Sequence, residues 1–389
     1  MKKTVFIAAL AIAALASCSK QVFNEGVQSE VVFQFARYKG VTKAITPPSD
    51  TTDYKENYKN VPFGVYAWFK GETPGDDTDF MVNQKVSYTG DSDNRWAPEG
   101  TTYYWPKSGS IDFIGYSPYA TAGSTDAPFP TITDTTIAYP AWNVADHQDV
   151  DIMYADKVTG LKNNTNAYYY NGVPMLFHHA LAKVNFQIKA AYTEVTDTVT
   201  GTKTKWDIQV ESIKVNNLLS SGSFTLNLNG SSWEQPADAN GNKVWTADGT
   251  TKDYELDLTN LENPIQKDTT YNLDSDVFVM PQSLVGGNQE VVIKVTITTY
   301  RDVNDGNGYQ QVLQENGVEI QGNLSAGSMD AWEMNQNVTY SFNFAPSLGT
   351  TTTDDKDGDG IPDVIPTIVY FDPAVDEWEN VTVNAGINI

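Results

Sequence analysis

Val, Ile, Thr, Tyr and Phe gather along the chain in short runs, separated by clusters of Gly, Asn, Asp, Ser and Pro. Apolar and polar residues alternate with period two in Val291–Thr298 and Val338–Phe344, so each segment has one face to bury. Ile208–Val215 shows the same alternation but slips phase near Ser212, as a β-bulge allows. Turn chemistry punctuates the runs at Asn229-Gly230, Asp238 to Gly241, Gly286-Gly287 and Asp305-Gly306. No long segment has helical period, so the pattern predicts a mainly β protein of sandwich type. A polar stretch, Lys162 to Asn166, follows Asp149–Asp156, and a new apolar segment runs from Val173 to Phe186. This predicts two tandem β-sandwich domains, 44–172 and 173–389, each long enough for its own core. Gly349 to Asp363 is the most polar segment.

Composition narrows the functional classes. The chain has 389 residues with 25 Lys+Arg against 49 Asp+Glu, a net charge of −24, which argues against nucleic acid as a partner. Its 21 Tyr, 16 Phe and 9 Trp supply apolar surface that an acidic disordered chain would lack. Three histidines (His147, His178, His179) and three arginines (Arg37, Arg95, Arg301) leave little material for a His-rich centre or a phosphate clamp. No G-x-S-x-G, H-E-x-x-H or P-loop occurs, so no catalytic residue is assigned and an enzyme is not expected.

The first residues read as an export signal. Lys2 and Lys3 precede an apolar run, Val5 to Leu15, too short to span a bilayer. Leu15-Ala16-Ser17-Cys18 resembles a bacterial lipobox, which implies removal of residues 1–17 and acylation of Cys18, with palmitate for example. Cys18 is the only cysteine, so no intrachain disulfide can form. The alternative is an ordinary signal cut after a small residue. An acyl chain anchors a protein to a membrane without spanning it.

Two further features point to binding chemistry. Asp355-Lys356-Asp357-Gly358-Asp359-Gly360-Ile361-Pro362-Asp363 has the spacing of a calcium loop: Asp355, Asp357 and Asp359 converge on a hard cation, with the Ile361 carbonyl and Asp363 completing the set. Pro366 stands where an EF-hand needs a bidentate Glu, so the loop resembles the isolated Asp-rich loops of dockerin or thrombospondin-type repeats. Calcium is thus a possible ligand, not a required cofactor, and the alternative is a solvated acidic turn. Trp68, Trp96, Trp105 and Trp142 crowd the first half, either as core or as a glycan-stacking surface. His178 and His179 fall on one strand and point to opposite faces, so they cannot chelate one ion together.

Several segments together resemble the fimbrillin-like family. They are Tyr103-Tyr104-Trp105-Pro106, Ile111 to Tyr119, Asp151 to Ala155, Phe177 to Val184, Phe278 to Gln282 and Asp376 to Val381, in that order. The resemblance implies two transthyretin-like Greek-key sandwiches, export as an outer-membrane lipoprotein, and assembly into a type V pilus. In that scheme a trypsin-like protease removes the first strand, and a C-terminal strand of a neighbouring subunit fills the groove. The residues suit such a mechanism. Val31, Phe33 and Phe35 share one face of a strand ending at Arg37, the preferred cleavage site, with Lys39 and Lys43 as alternatives in the removable segment 18–43. Val381, Val383, Ala385, Ile387 and Ile389 line one face of segment 380–389, the expected donor strand. The implied partners are other pilin subunits and a host or bacterial surface receptor. The competing reading is a permanently anchored lipoprotein, a tip adhesin or a glycan-binding protein.

Overall fold

The computed structural model describes residues 30–38, 45–46, 59–90, 96–162, 172–190, 194–197, 199–228, 244–266, 268–273, 277–286, 288–325, 329–344, 347–348, 364–365, 369–377 and 383–384. Among them the only helical element is a 3-10 turn, Val144–Asp146, capped by the Asn143 side chain. The first half contributes β1 (Phe33–Tyr38), β2 (Phe63–Lys70), β3 (Thr78–Tyr88), β4 (Trp96–Pro98), β5 (Ser110–Ser117), β6 (Thr136–Asn143), β7 (Met153–Ala155), β8 (Val158–Leu161) and β9 (Val173–His179). The second half contributes β10 (Ala182–Ala190), β11 (Lys203–Leu219), β12 (Ser221–Asn227), β13 (Trp245–Ala247), β14 (Thr251–Glu255), β15 (Glu290–Asp302), β16 (Gln310–Asn323), β17 (Gln336–Phe344), β18 (Val369–Glu377) and β19 (Val383–Asn384).

The first sheet runs β8-β5-β2-β3-β4-β1-β9-β7. A further pairing of β7 with β5, Tyr116 opposite Tyr154 and Ser117 opposite Met153, brings the sheet round on itself. Period-two alternation fills the interior. Phe63, Val65, Ala67 and Phe69 of β2 turn inward, while Tyr66, Trp68 and Lys70 stay half-buried on the other face. β5 is apolar on both faces for a reason visible in the packing. Ile111 and Phe113 enter the interior of the ring, and Ile114 and Tyr116 enter a separate core outside it.

That outer core joins the two halves. β6 pairs with β12, from Asn143 opposite Ser221 to Thr136 opposite Asn227, with β13 beyond β12. The Trp245 indole N–H donates to the Ala180 carbonyl at 2.6 Å. The Gln148 side chain accepts from the Phe278 N–H and donates to the Phe278 carbonyl, both at 2.9 Å, imitating a strand neighbour. Burial raises the pKa of the Tyr116 and Tyr139 hydroxyls there. Strand pairing therefore carries the first sheet past the division expected at 172/173, as far as His179. Ala180 and Leu181, both fully buried, make the crossing into the second sandwich.

The second sandwich encloses the largest core. β11 and β15 pair from Lys203 opposite Asp302 to Asn216 opposite Glu290, and their register shifts between Val210 and Ser212. This is the bulge expected near Ser212, and it lets Ile208 and Val210 on one side of it face the same core as Ile213 and Val215 on the other. Val291, Ile293, Val295 and Ile297 of β15 meet Val338, Tyr340, Phe342 and Phe344 of β17, as the alternation predicts. The buried Tyr340 hydroxyl donates to the Leu324 carbonyl and accepts from the Trp332 indole, each at 3.0 Å.

Candidate site around the first strand

β1 is an interior strand of the ring, flanked on both sides. On one side it runs parallel to β9, with Phe33 opposite Val173, Gln34 opposite Pro174, Phe35 opposite Met175 and Ala36 opposite Leu176. On the other side the single pair Phe33–Trp96 ties it to β4. Just before β1, Glu30 bridges Tyr104, and the Val31 N–H donates to the Tyr103 carbonyl at 2.9 Å. Four parallel pairs against one antiparallel pair make β9 the stronger attachment.

Side chains lock the strand from inside. Val31 and Phe33 are buried to within 1% of complete. Phe33 meets Phe63 edge-on at 6.1 Å and 88°, and Phe113 at 5.8 Å and 84°, the geometry that aromatic quadrupoles favour. Trp105 reaches the same cluster, 6.0 Å from Phe113.

The backbone fits as closely as the side chains. Gly172 has φ of +125°, and a Cβ there would stand 2.6 Å from the Val32 carbonyl oxygen and 2.8 Å from the Phe33 Cα. Only glycine permits both the conformation and the approach. The next residue, Val173, donates its N–H to that same Val32 oxygen at 2.7 Å.

Arg37 stands immediately after Ala36, the last β1 residue paired with β9, and pairs instead with Thr46, as Tyr38 does with Ile45. A cut after Arg37 would sever the strand where its attachment to the ring ends. Lys39 and Lys43 lie outside the described residues, as does Cys18.

Charged groups brace the remaining strands. On β9, His178 Nε2 lies 3.1 Å from Asp156 and stacks on Tyr154, and the buried His179 Nδ1 lies 2.7 Å from Asp151. The two histidines thus point apart, each to its own carboxylate. Lys157 donates to the Asp134 carbonyl at 2.6 Å and sits 3.5 Å from the buried Asp112, whose other oxygen accepts from the Gly160 N–H at 2.8 Å. These contacts hold β8 against β5.

The other candidate features separate. Trp96, Trp105 and Trp142 are buried, which removes them from any glycan-stacking surface; Trp68 is half-buried beside Tyr66. Of the expected donor segment, Val383 is placed in β19, opposite Val375 of β18, and β18 itself pairs with β17 at nine positions. Val381, Ala385, Ile387 and Ile389 lie outside the described residues, as do Asp355, Asp357, Asp359, Ile361 and Asp363. Among the described residues no group of three or more His, Cys, Asp or Glu side chains could hold a metal. Period-two reading finds Val31 and Phe33 but misses Gly172, whose only sequence signal is a turn-like Asn171-Gly172 pair.

A family model described as fimbrillin-like matches residues 42–356. A candidate fimbrium subunit of Bacteroides uniformis, Fim1C, is 34% identical over 126 residues, 32% of this chain and 37% of that protein. The match therefore spans little more than a third of the relative's length. Among solved structures, a candidate cell adhesion protein from Bacteroides uniformis is 18% identical, with 90% of this chain and 98% of that one covered, at a TM-score of 0.43. The fimbrial anchor protein Mfa2 from Porphyromonas gingivalis is 9% identical, with 92% and 99% covered, at 0.26. Scores this low carry no weight for fold or function.

Proposed function

The chain belongs to the fimbrillin-like family, and from that premise we propose that it is a structural subunit of a cell-surface fimbrium, assembled when β1 is cut away and a neighbour's strand takes its place. The family is one of fimbrial proteins and not of enzymes. The observation that carries the reading is the setting of β1: a stave of a closed ring, clasped on both sides, with Arg37 one residue past its last pairing to β9. Removing it would unpair the edges of β4 and β9 and uncover the hollow filled by Val31 and Phe33. An open edge over an apolar trough invites another strand, because backbone hydrogen bonds and alternate side-chain pockets are both on offer.

In this reading Cys18 carries an acyl chain that holds the precursor at the outer membrane, and segment 380–389 is the strand given to a neighbour. Calcium at Asp355–Asp363 would stiffen the approach to β18. A permanently anchored form is a precursor that keeps β1.

The test is cleavage-coupled assembly. Wild-type protein treated with a trypsin-like protease should lose residues up to Arg37 and form ladders on mild-denaturation gels. The variant with Arg37→Ala, Lys39→Ala and Lys43→Ala should remain monomeric. Equal polymerisation of the variant would overturn the requirement for removing β1.

A further inference from the structure

We infer that the slot of β1 is selective for a strand carrying a β-branched aliphatic residue followed two positions later by an aromatic, and that the strand which fits it comes from a protein of different sequence and not from a second copy of this chain. This rests on the strand replacement just proposed and adds the identity of the replacement.

The Phe33 position is shaped for a ring. Phe63 and Phe113 both present to it at nearly right angles, and the residue is completely buried. A Val or Ile at this place cannot reach both partners, and interiors do not collapse freely around a lost ring. The strand cannot slide to compensate. The Val31 N–H is hydrogen-bonded to the Tyr103 carbonyl and the Val32 carbonyl to the Val173 N–H, and Gly172 leaves no space beneath Val32 and Phe33.

The chain's own expected donor does not match. Along 380–389 the apolar positions are Val381, Val383, Ala385, Ile387 and Ile389, with no aromatic among them. Val369-Tyr370-Phe371 has the required spacing, but it is paired with β17 as part of β18, with Val369 opposite Phe344 and Phe371 opposite Phe342. A copy donating 380–389 would leave the Phe33 site underfilled. The acceptor and donor of this chain are therefore not complementary to each other, which favours mixed fimbria over a filament of this chain alone.

Peptides added to the cleaved protein, with loss of β1 verified by intact mass, test this. The peptide Glu30–Arg37 should rebind, and its Phe33→Val form should bind at least about tenfold more weakly. The peptide Asn380–Ile389 should also bind weakly, and at least one of its variants Val383→Phe, Ala385→Phe or Ile389→Phe should recover about tenfold. If Asn380–Ile389 binds as tightly as Glu30–Arg37 and Phe33→Val changes nothing, the selectivity is wrong while strand replacement stands. If a peptide spanning 368–376 binds as tightly as Glu30–Arg37, the partner is a second copy. If Glu30–Arg37 itself does not rebind, strand replacement fails and this inference falls with it.

Discussion

Phe33→Ala is the sharpest single perturbation of the first sheet. The side chain is wholly buried and makes two edge-on ring contacts, so its truncation removes transfer free energy and leaves a cavity that Gly172 and the two clasping strands prevent from closing. Such Phe→Ala changes cost about 3–5 kcal/mol, and poor collapse places this one toward the upper end. With a urea slope of about 3 kcal/mol/M, the transition of the first sheet should move down by about 1 M or more. Phe33→Leu, which keeps part of the volume but neither ring contact, should cost less than Phe33→Ala, about 1–3 kcal/mol. Tryptophan fluorescence reports the transition, since Trp96 and Trp105 lie in that core. The comparison should be repeated after cleavage at Arg37 and removal of β1, when wild type and variant must become identical. A shift of less than about 0.3 M in the intact protein would show that Phe33 does not hold the ring together.

Gly172→Ala should loosen β1 by about 1–3 kcal/mol, because it strains a φ of +125° and crowds the Val32 carbonyl; trypsin should then cut at Arg37 faster, and an unchanged rate would contradict the cradle. Burial holds the Tyr116, Tyr139, Tyr154 and Tyr340 hydroxyls protonated above their ordinary value of 10.0. The unfolded chain ionises them near that value, so their contribution to stability is complete below it and is lost as pH rises beyond it; the phenolate absorbance left after the exposed tyrosines have titrated should appear together with loss of strand circular dichroism, and ionisation of all 21 tyrosines while the fold persists would refute this. Calcium at roughly 100–1,000 times its dissociation constant should stabilise the wild type by about 2–4 kcal/mol but not the Asp357→Ala, Asp359→Ala variant; identical wild-type melting in chelator and in millimolar calcium would dismiss the loop as a site. Cys18→Ser should abolish incorporation of a fatty-acid analogue, and equal labelling of the mutant would remove the lipobox.

What the sequence disclosed is local, and what it withheld is pairing. Alternation fixes which side chains of Val291–Thr298 and Val338–Phe344 face inward, and the slip at Ser212 marks the bulge, because side-chain direction in a strand depends only on neighbours in the chain. The same logic identifies Val31 and Phe33 and sends His178 and His179 to opposite faces. Nothing local announces that β1 lies parallel to β9, that β7 closes the ring on β5, or that β6 pairs with β12 across the expected boundary. Partner choice is a property of two distant segments at once. The tryptophans teach the complementary lesson: alternation does not say which face of a sheet another layer will cover, and Trp142 is covered by the core shared between the halves. Gly172 was hidden because its constraint comes from the backbone of another strand.

The parallel pairing of β1 with β9 also has a kinetic side. Phe33 and Val173 meet across more than a third of the chain, whereas β2 and β3 form a hairpin within a short span. Closing so long a loop is entropically unfavourable until the intervening strands have folded and brought its ends together. During synthesis the first strand must therefore wait, with its slot unfinished, until residues 173–179 have emerged. The ring closes late at the seam between β1 and β9, and a chain that has not yet docked β1 exposes the trough that Val31 and Phe33 fill. In the proposed assembly that trough is the surface a neighbouring strand would enter, so the interval before β1 docks is when premature strand addition would be most dangerous.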